Sequence, residues 1–277
     1  MQINVVIFYF SQTQNTKKYA EMIAKGIRDT GNNCDLFRFA KLDKDMELIK
    51  NFDFPKYDLI GFGNPVYYFH PPYHIFDILE ALPSLKGKLG FLFCTSGGNP
   101  GSTLFQMKKI LDTKGLKIID GNDGFVGRDK HPLYRDFGLV YPPSLGHPTE
   151  EDLANAQIWG SQLVEKAKKP DPLEKTDFHT RDSNYAKIQT KENVNRTYPK
   201  FELLEEKCVQ CGNCEEICPV DCIFLDPYPK WKDMLCDRCY LCYMECPEQA
   251  IECDWKWQAD VMTDLMKKKG FLPKKTK

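Results

Sequence analysis

FYFSQTQNTKKYA, residues 8–20, reads as the end of an apolar strand, a hydroxyl-rich turn and the start of a helix. Ser11, Thr13 and Thr16 offer hydroxyl donors where the first helix also exposes its unpaired backbone amides. Together these make a site for a phosphate dianion with no positive charge required. Taken alone, the same turn is an ordinary helix N-cap. The sequence lacks both the G-x4-G-K-[ST] of a nucleoside triphosphate loop and the G-x-G-x-x-G of a dinucleotide fold.

Outward from this turn the pattern repeats. NVVIFYF, CDLFRF, YDLIGFG, LGFLFCTS and LKIIDGNDGFV read as five strands, mostly too continuously apolar to have one wet face. Helical faces lie between them, at Tyr19, Met22, Ile23 and Ile27, at Ile75, Phe76, Ile78 and Leu79, and at Leu104, Met107, Ile110 and Leu111. A last helix is expected from the capping signal PTEED at 148 through Leu163 and Ala167. Alternating strands and helices predict an α/β fold with a parallel sheet covered on both faces. In such a sheet the ligand crevice lies beyond the carboxyl ends of the strands. Two loops fall there beside the first turn: GNPVYYFHPP at 63–72, aromatic and rigid, and CTSGGNPGS at 94–102, rich in glycine.

The totals bound the rest. A chain of 277 residues with 42% apolar and 13% aromatic content is large enough for two domains with real cores. No apolar run approaches the roughly 18 residues of a membrane span, and MQINVVIFYFSQ has no signal-peptide pattern, so a cytoplasmic protein is expected. The net charge of -1 argues against a nucleic-acid binder. Residues 201–255 hold thirteen Asp or Glu against four Lys or Arg, a net -9 that leaves +8 for the remainder. The expected organisation is a first domain at 1–168, a polar connector at 169–200 with a helical piece near 183–192, an acidic cysteine module at 201–255 and a basic tail at 256–277. The lysine-rich end KKKGFLPKKTK reads as a solvated, frayed terminus or as an arm for an acidic partner.

CVQCGNCEEICP at 208–219 recurs as CDRCYLCYMECP at 236–247, an internal repeat offset by 28 residues. The spacing C-x2-C-x2-C-x3-C-P puts three thiolates on one tight loop to grip three corners of an iron–sulfur cube, while the fourth serves the other site. Cys208, Cys211, Cys214 and Cys246 are therefore assigned to one 4Fe-4S cluster, and Cys236, Cys239, Cys242 and Cys218 to a second. Tetrahedral zinc usually takes well-separated C-x2-C pairs, and a reducing compartment disfavours disulfides. Cys222 and Cys253 read as packed small hydrophobes, Cys34 and Cys94 as strand core.

The cysteine module resembles bacterial-type ferredoxins with two 4Fe-4S clusters, which implies a small pseudo-twofold α+β fold. The first domain resembles flavodoxin over residues 1–168, which implies a doubly wound five-stranded parallel sheet binding FMN. By that resemblance Ser11, Gln12, Thr13, Gln14, Asn15 and Thr16 hold the FMN phosphate. Asn64, Pro65, Val66, Tyr67, Tyr68 and Phe69 flank one face of the flavin ring, and Thr95, Ser96, Gly97 and Gly98 bond its pyrimidine edge. The whole chain is similar to flavodoxin–ferredoxin fusion proteins of anaerobic microbes. Two departures stand out. Flavodoxins usually carry a glycine after the third strand, where this chain has VYYFHPP, and an aromatic after the fourth, where TSGGNPGS has none. Residues 127–143 then read as a lid or an interface, with Arg128, Asp129, His131 and Tyr134 either contacting flavin or substrate or packing at the surface. His70 and His74 flank prolines, which favours a flavin-edge or helix-end role over a metal pair.

One-electron clusters and a one- or two-electron flavin on one chain imply an electron carrier between low-potential redox partners. The alternative is an FMN and iron–sulfur oxidoreductase exchanging hydride with a nicotinamide or small molecule. The opposite charges of the modules also suggest docking within one chain or across a homodimer.

Overall fold

The computed structural model describes residues 2–127, 131–136, 142–169, 171–172 and 184–271. They form two compact units, one of residues 1–128 with 146–189 and one of 129–145 with 190–277. Among the described residues no helix is long and apolar enough to cross a membrane.

The first unit alternates β1 (Asn4–Phe10), α1 (Asn15–Asp29), β2 (Asn33–Phe39), α2 (Leu42–Asn51), β3 (Leu59–Pro65), α3 (Tyr73–Ala81), β4 (Leu89–Ser96), α4 (Thr103–Thr113) and β5 (Lys117–Val126). The strands are parallel in the order β2-β1-β3-β4-β5, so the expected doubly wound sheet is present, with its order reversing beside β1 and β3. Helix α5 (Pro132–Asp136) falls in the second unit, and the first resumes with α6 (Glu150–Ala167) and α7 (Asn184–Ile188).

Strand periodicity divides the core in two. Val6, Phe8 and Phe10 point into a cluster with Ile75, Ile78, Leu104 and Met107, whereas Val5, Ile7 and Tyr9 point into one with Tyr19, Ile23, Leu163 and Val164. Helix α6 begins at a capping box in which the Thr149 hydroxyl accepts from Asp152 N and the Asp152 carboxylate accepts from Thr149 N. Its packing on α1 needs two glycines: a Cβ at Gly26 would lie 1.9 Å from Gln157 O, and one at Gly160 would lie 2.2 Å from Ile23 O.

The second unit is built on its 28-residue repeat down to the backbone. Left-handed residues recur at Gln210 and Arg238, at Gly212 and Tyr240, and at Asp221 and Gln249. After α8 (Lys191–Thr197) and β6 (Glu202–Leu203) come α9 (Asn213–Glu216) and β7 (Ile223–Leu225). Then follow β8 (Pro229–Trp231), α10 (Leu241–Met244), β9 (Ile251–Glu252) and α11 (Lys256–Lys268). β6 pairs antiparallel with β9 and β7 with β8, so each small sheet draws a strand from each half of the repeat.

Three boundaries differ from the expectation. The stretch 169–200 is more than a connector: Ala186 is buried in the first unit, and Val194 and Asn195 in the second. Residues 131–136 and 142–145 group with the cysteine module, where Leu133 packs with Tyr240, Trp255 and Ala259. Residues 256–268 are helical rather than tail, because Ala259 and Met266, seven apart on one face, are buried. Residues 272–277 lie outside the described ones.

Gly26→Ala and Gly160→Ala are each expected to destabilise the first unit by about 1–3 kcal/mol, since backbone carbonyls and not flexible side chains must move. Urea unfolding checks this, and the double variant should fall short of the sum because both residues serve one helix contact.

Candidate cofactor sites

The loops beyond β1, β3 and β4 are tied together by their own polar groups. Buried Thr16, at the start of α1, shares a 2.8 Å hydrogen bond with the buried Thr95 hydroxyl at the end of β4. Ser11 Oγ accepts from Lys17 N at 3.2 Å, and the Tyr67 hydroxyl donates to the Gln12 side chain, joining the first turn to the loop after β3. Val66 N donates to Thr95 O at 2.9 Å, and Gly127 N to Ser96 O at 3.0 Å. A Cβ at Gly127 would lie 2.5 Å from Asn15 Nδ2, so this glycine lets the end of β5 reach the first turn. Gln14 is left-handed at φ 72° and makes no side-chain cap for α1. The amides of that helix start are thus left to partners other than their own N-cap side chain.

The loop after β3 is a tight turn. Tyr67 and His70 exchange two backbone hydrogen bonds of 2.8 Å, with Tyr68 at φ 52° and Phe69 at φ 68° between them. Two left-handed residues are the signature of a turn that usually takes Asn-Gly, and bulky side chains there cost about 1–3 kcal/mol each. The surroundings hold it. Ser102 N donates to Phe69 O at 2.8 Å, while His70 pairs with Gln106 Oε1 through Nδ1 and donates to Ala186 O from Nε2, both at 2.7 Å. Tyr73 adds a 2.7 Å hydrogen bond to Gln189 O. His70 is therefore a support of the turn, and His74 packs edge-on against Phe10.

Asn64 is fully buried behind the turn, with Nδ2 donating to Pro65 O. Pro65 through Phe69 are half-buried, and Gly97 and Gly98 continue β4 into a more open loop in which Gly98 N donates to Ser96 Oγ. Ser102 and Gly127 were missed from sequence. Ser102 stands before α4 as a capping residue would, whereas nothing local marks Gly127.

In the second unit the repeat brings together the two expected quartets. Cys208, Cys211, Cys214 and Cys246 line one cavity, with Leu203, Leu225 and Ile251 around them. Cys218, Cys236, Cys239 and Cys242 line another, together with Cys222, Phe201, Ile223 and Trp231. The fourth cysteine of each half thus crosses to the other half's cavity. Burial pushes the Cys214 thiol up to about 11 and Cys242 higher still. Cys222 is buried 3.5 Å from Cys218 Sγ, and its hydrogen bond to Cys236 holds that thiol below the ordinary range although burial opposes this.

Of the candidates in residues 127–143, Arg128 and Asp129 lie outside the described residues, as does the side chain of Tyr134. The His131 ring packs edge-on against Trp255 at 4.9 Å and Tyr240 at 5.6 Å, inside the cysteine module. Burial lowers its pKa to about 4.

Comparison with known proteins agrees with this division. Residues 6–135 match the flavodoxin domain family, and residues 202–224 match the 4Fe-4S binding domain family. A flavodoxin of Clostridium saccharobutylicum is 26% identical over 172 residues, 60% of this chain and 98% of that protein. An NAD(P)H dehydrogenase (quinone) of Bradyrhizobium sp. is 25% identical over 193 residues, 60% of this chain and 97% of that one. Among solved structures, an archaeal flavodoxin aligns with a TM-score of 0.42 at 20% identity, over 60% of this chain and all of its own. The chain thus carries a flavodoxin-like domain at its N-terminal end and a 4Fe-4S domain toward its C-terminal end. The first domain implies FMN, the second a 4Fe-4S cluster, and the pair electron-transfer or flavin oxidoreductase chemistry with redox partners.

Thr16→Val is expected to destabilise the first unit by about 1–3 kcal/mol, because it leaves the buried Thr95 hydroxyl unpaired. Thr16→Ser should restore most of the loss in the same thermal unfolding assay.

Proposed function

We propose that this protein is an electron carrier that passes low-potential electrons between two 4Fe-4S clusters and FMN on behalf of a protein redox partner. The carrying observation is that one chain surrounds two separate cavities with cysteines, four at one and the other four of the repeat together with Cys222 at the second, and also presents a flavodoxin-type set of loops. When bound, the clusters supply one-electron chemistry and FMN supplies one- or two-electron chemistry.

The residues suit these groups. Ser11, Gln12, Thr13, Gln14, Asn15 and Thr16 would hold the FMN phosphate at a helix start that Gln14 leaves without a side-chain cap. Asn64, Pro65, Val66, Tyr67, Tyr68 and Phe69 would support one ring face on the turn held by His70. Thr95, Ser96, Gly97 and Gly98 would bond the ring edge. In the cysteine module the clustering of thiols at both cavities suits iron, whose ligands there are thiolates. Cys208, Cys211, Cys214 and Cys246 would hold one cluster, and Cys218, Cys236, Cys239 and Cys242 the other. Such thiols need a reducing compartment, which is the basis for proposing the cytoplasm. The -9 and +8 charge division supports docking between modules, within a chain or across a homodimer.

The 25% identity to an NAD(P)H dehydrogenase (quinone) favours a second reading, an FMN-dependent oxidoreductase taking hydride from a nicotinamide.

Anaerobic mixing of the purified holoprotein with NADH, NADPH or reduced ferredoxin separates them. Bleaching of flavin and cluster absorbance only with reduced ferredoxin is expected for the carrier, and rapid bleaching by a nicotinamide would establish the enzyme. Cys208→Ser and Cys246→Ser should lower iron content alike, from about eight to about four atoms per chain, and Cys218→Ser should match Cys242→Ser. Iron assay with low-temperature EPR checks the pairing, and loss grouped by sequence half would refute it.

A further inference from the structure

The duplicated cysteine module contains its own control. Its two ligand loops share spacing, short helices and left-handed positions, so differences in their exposure come from what surrounds them. The second loop is enclosed. Asp237 is 1% exposed and meets Lys191 Nζ at 3.1 Å. Arg238, 0% exposed, donates from Nε to Asn195 Oδ1 at 2.8 Å and from a terminal nitrogen to Asp233 Oδ1 at 3.0 Å. Asn195 also donates to Cys236 O, and the buried Tyr240 hydroxyl donates to Pro199 O. Lys191, Asn195 and Pro199 precede the repeat, and His131 covers Tyr240 from farther back in the chain. Of the five cysteines at this cavity Cys218, Cys222, Cys236 and Cys242 are buried and Cys239 is half-buried.

The first loop lacks this wrapping. Val209, the counterpart of Asp237, is 61% exposed, Gln210 and Cys211 are exposed, and Cys208, Cys214 and Cys246 are half-buried. Exposed Glu205 and Glu206 precede it, Glu216 follows on α9, and Glu248 lines the same cavity, against one exposed base, Lys207. The loop tip is thus a small apolar contact with a predominantly acidic rim.

The geometry points to the first cysteine loop, Cys208–Cys214, as the port at which the cysteine module exchanges electrons with a protein partner whose own redox centre is rimmed by basic residues. This rests on the two-cluster reading. Electron transfer falls off steeply with distance, so a cluster with an exposed ligand is the one a partner reaches. Complementary charge raises encounter rates by about 10–10³-fold and is screened by salt. Exposed Met234 and Leu235 beside the second loop are the competing apolar patch, but the cysteine that follows them, Cys236, is buried. Each transfer moves one electron from a reduced cluster to the acceptor; no bond forms or breaks and no proton moves.

The test uses dithionite-reduced holoprotein, freed of excess reductant, and ferricytochrome c as a basic one-electron acceptor, mixed anaerobically in a stopped-flow instrument. Ferric haem becomes ferrous as the cluster is oxidised. Glu205→Lys/Glu206→Lys is compared with Asp260→Lys/Asp264→Lys, which makes the same change in net charge on α11, and with Met234→Ser/Leu235→Ser. The port predicts a second-order rate that falls with salt and drops about tenfold or more in the first variant at low salt. The other two should stay within about twofold of the parent. Equal slowing in both charge variants, no slowing in the first, or slowing centred on Met234 and Leu235 would overturn it. Hydrogen exchange of the unaltered protein with the acceptor covers loss of fold in a variant: protection of 205–216 supports the port, and protection confined elsewhere overturns it. Iron and labile-sulfide assays keep the two levels apart. Missing clusters would sink the two-cluster reading and the port together, whereas intact clusters with an unaltered rate would sink the port alone.

Discussion

A polar group removed from water has to find a partner, and both halves of this molecule are organised by that requirement. In the first unit the loops at the carboxyl ends of the strands carry hydroxyls and amides at burial levels where each must be answered. Thr16 meets Thr95, Tyr67 reaches Gln12, and Asp45, buried at the start of α2, accepts from Ala40 N and Lys41 N. In the second unit the same requirement falls on charged groups. The Arg238 guanidinium has to be met from α8 and Asp233, so a segment that precedes the repeat is drawn onto one half of it. Loop position is therefore set by polar pairing, while the sheet and helices beneath are set by apolar periodicity.

That division explains what could be read in advance. The five strands and helices α1, α3, α4 and α6 were legible because each carries its period plainly, as Val6, Phe8 and Phe10 alternate with Val5, Ile7 and Tyr9. Helix α2 escaped notice because LDKDMELIKN buries little beyond Asp45 and Ile49, and its charges mask the period. Helix α11 was hidden in the same way, its lysines dominating the composition while Ala259 and Met266 hold it down. The grouping of the cysteines at two cavities follows a repeated spacing that carries much of its geometry in the covalent chain, with Cys246 at the first cavity and Cys218 at the second.

What stayed hidden depends on distant parts of the chain. No propensity marks Tyr68 and Phe69 as left-handed, since both residues disfavour it, and the turn exists because His70, Ser102 and Ala186 hold it from outside. The expected departure from a flavodoxin glycine thus changes which residues make the turn without abolishing it. Residues 131–136 posed the same problem. Their composition suits a lid, and only the assembled core reveals Leu133 and His131 packing with Tyr240 and Trp255. Sequence periodicity tells that a segment has an apolar side; it does not tell which of two cores will take it.

The unequal halves of the cysteine module follow from being joined to another domain. A duplicated unit standing alone would leave corresponding loops in corresponding surroundings. Here the chain enters through α8 and contributes His131 and Leu133 as well, and both additions fall on the second loop, around Tyr240 and Arg238. Once a buried arginine occupies that loop, exposure is no longer an option for it, because Arg238 would lose Asn195 and Cys236 O would lose the same amide. Gln210, at the matching left-handed position, carries no charge to bury and stays at the surface. Three differences between the repeats, Asp237 for Val209, Arg238 for Gln210 and Tyr240 for Gly212, are thus tied to the inequality of their environments, and they separate an enclosed site from an open one within one duplicated fold.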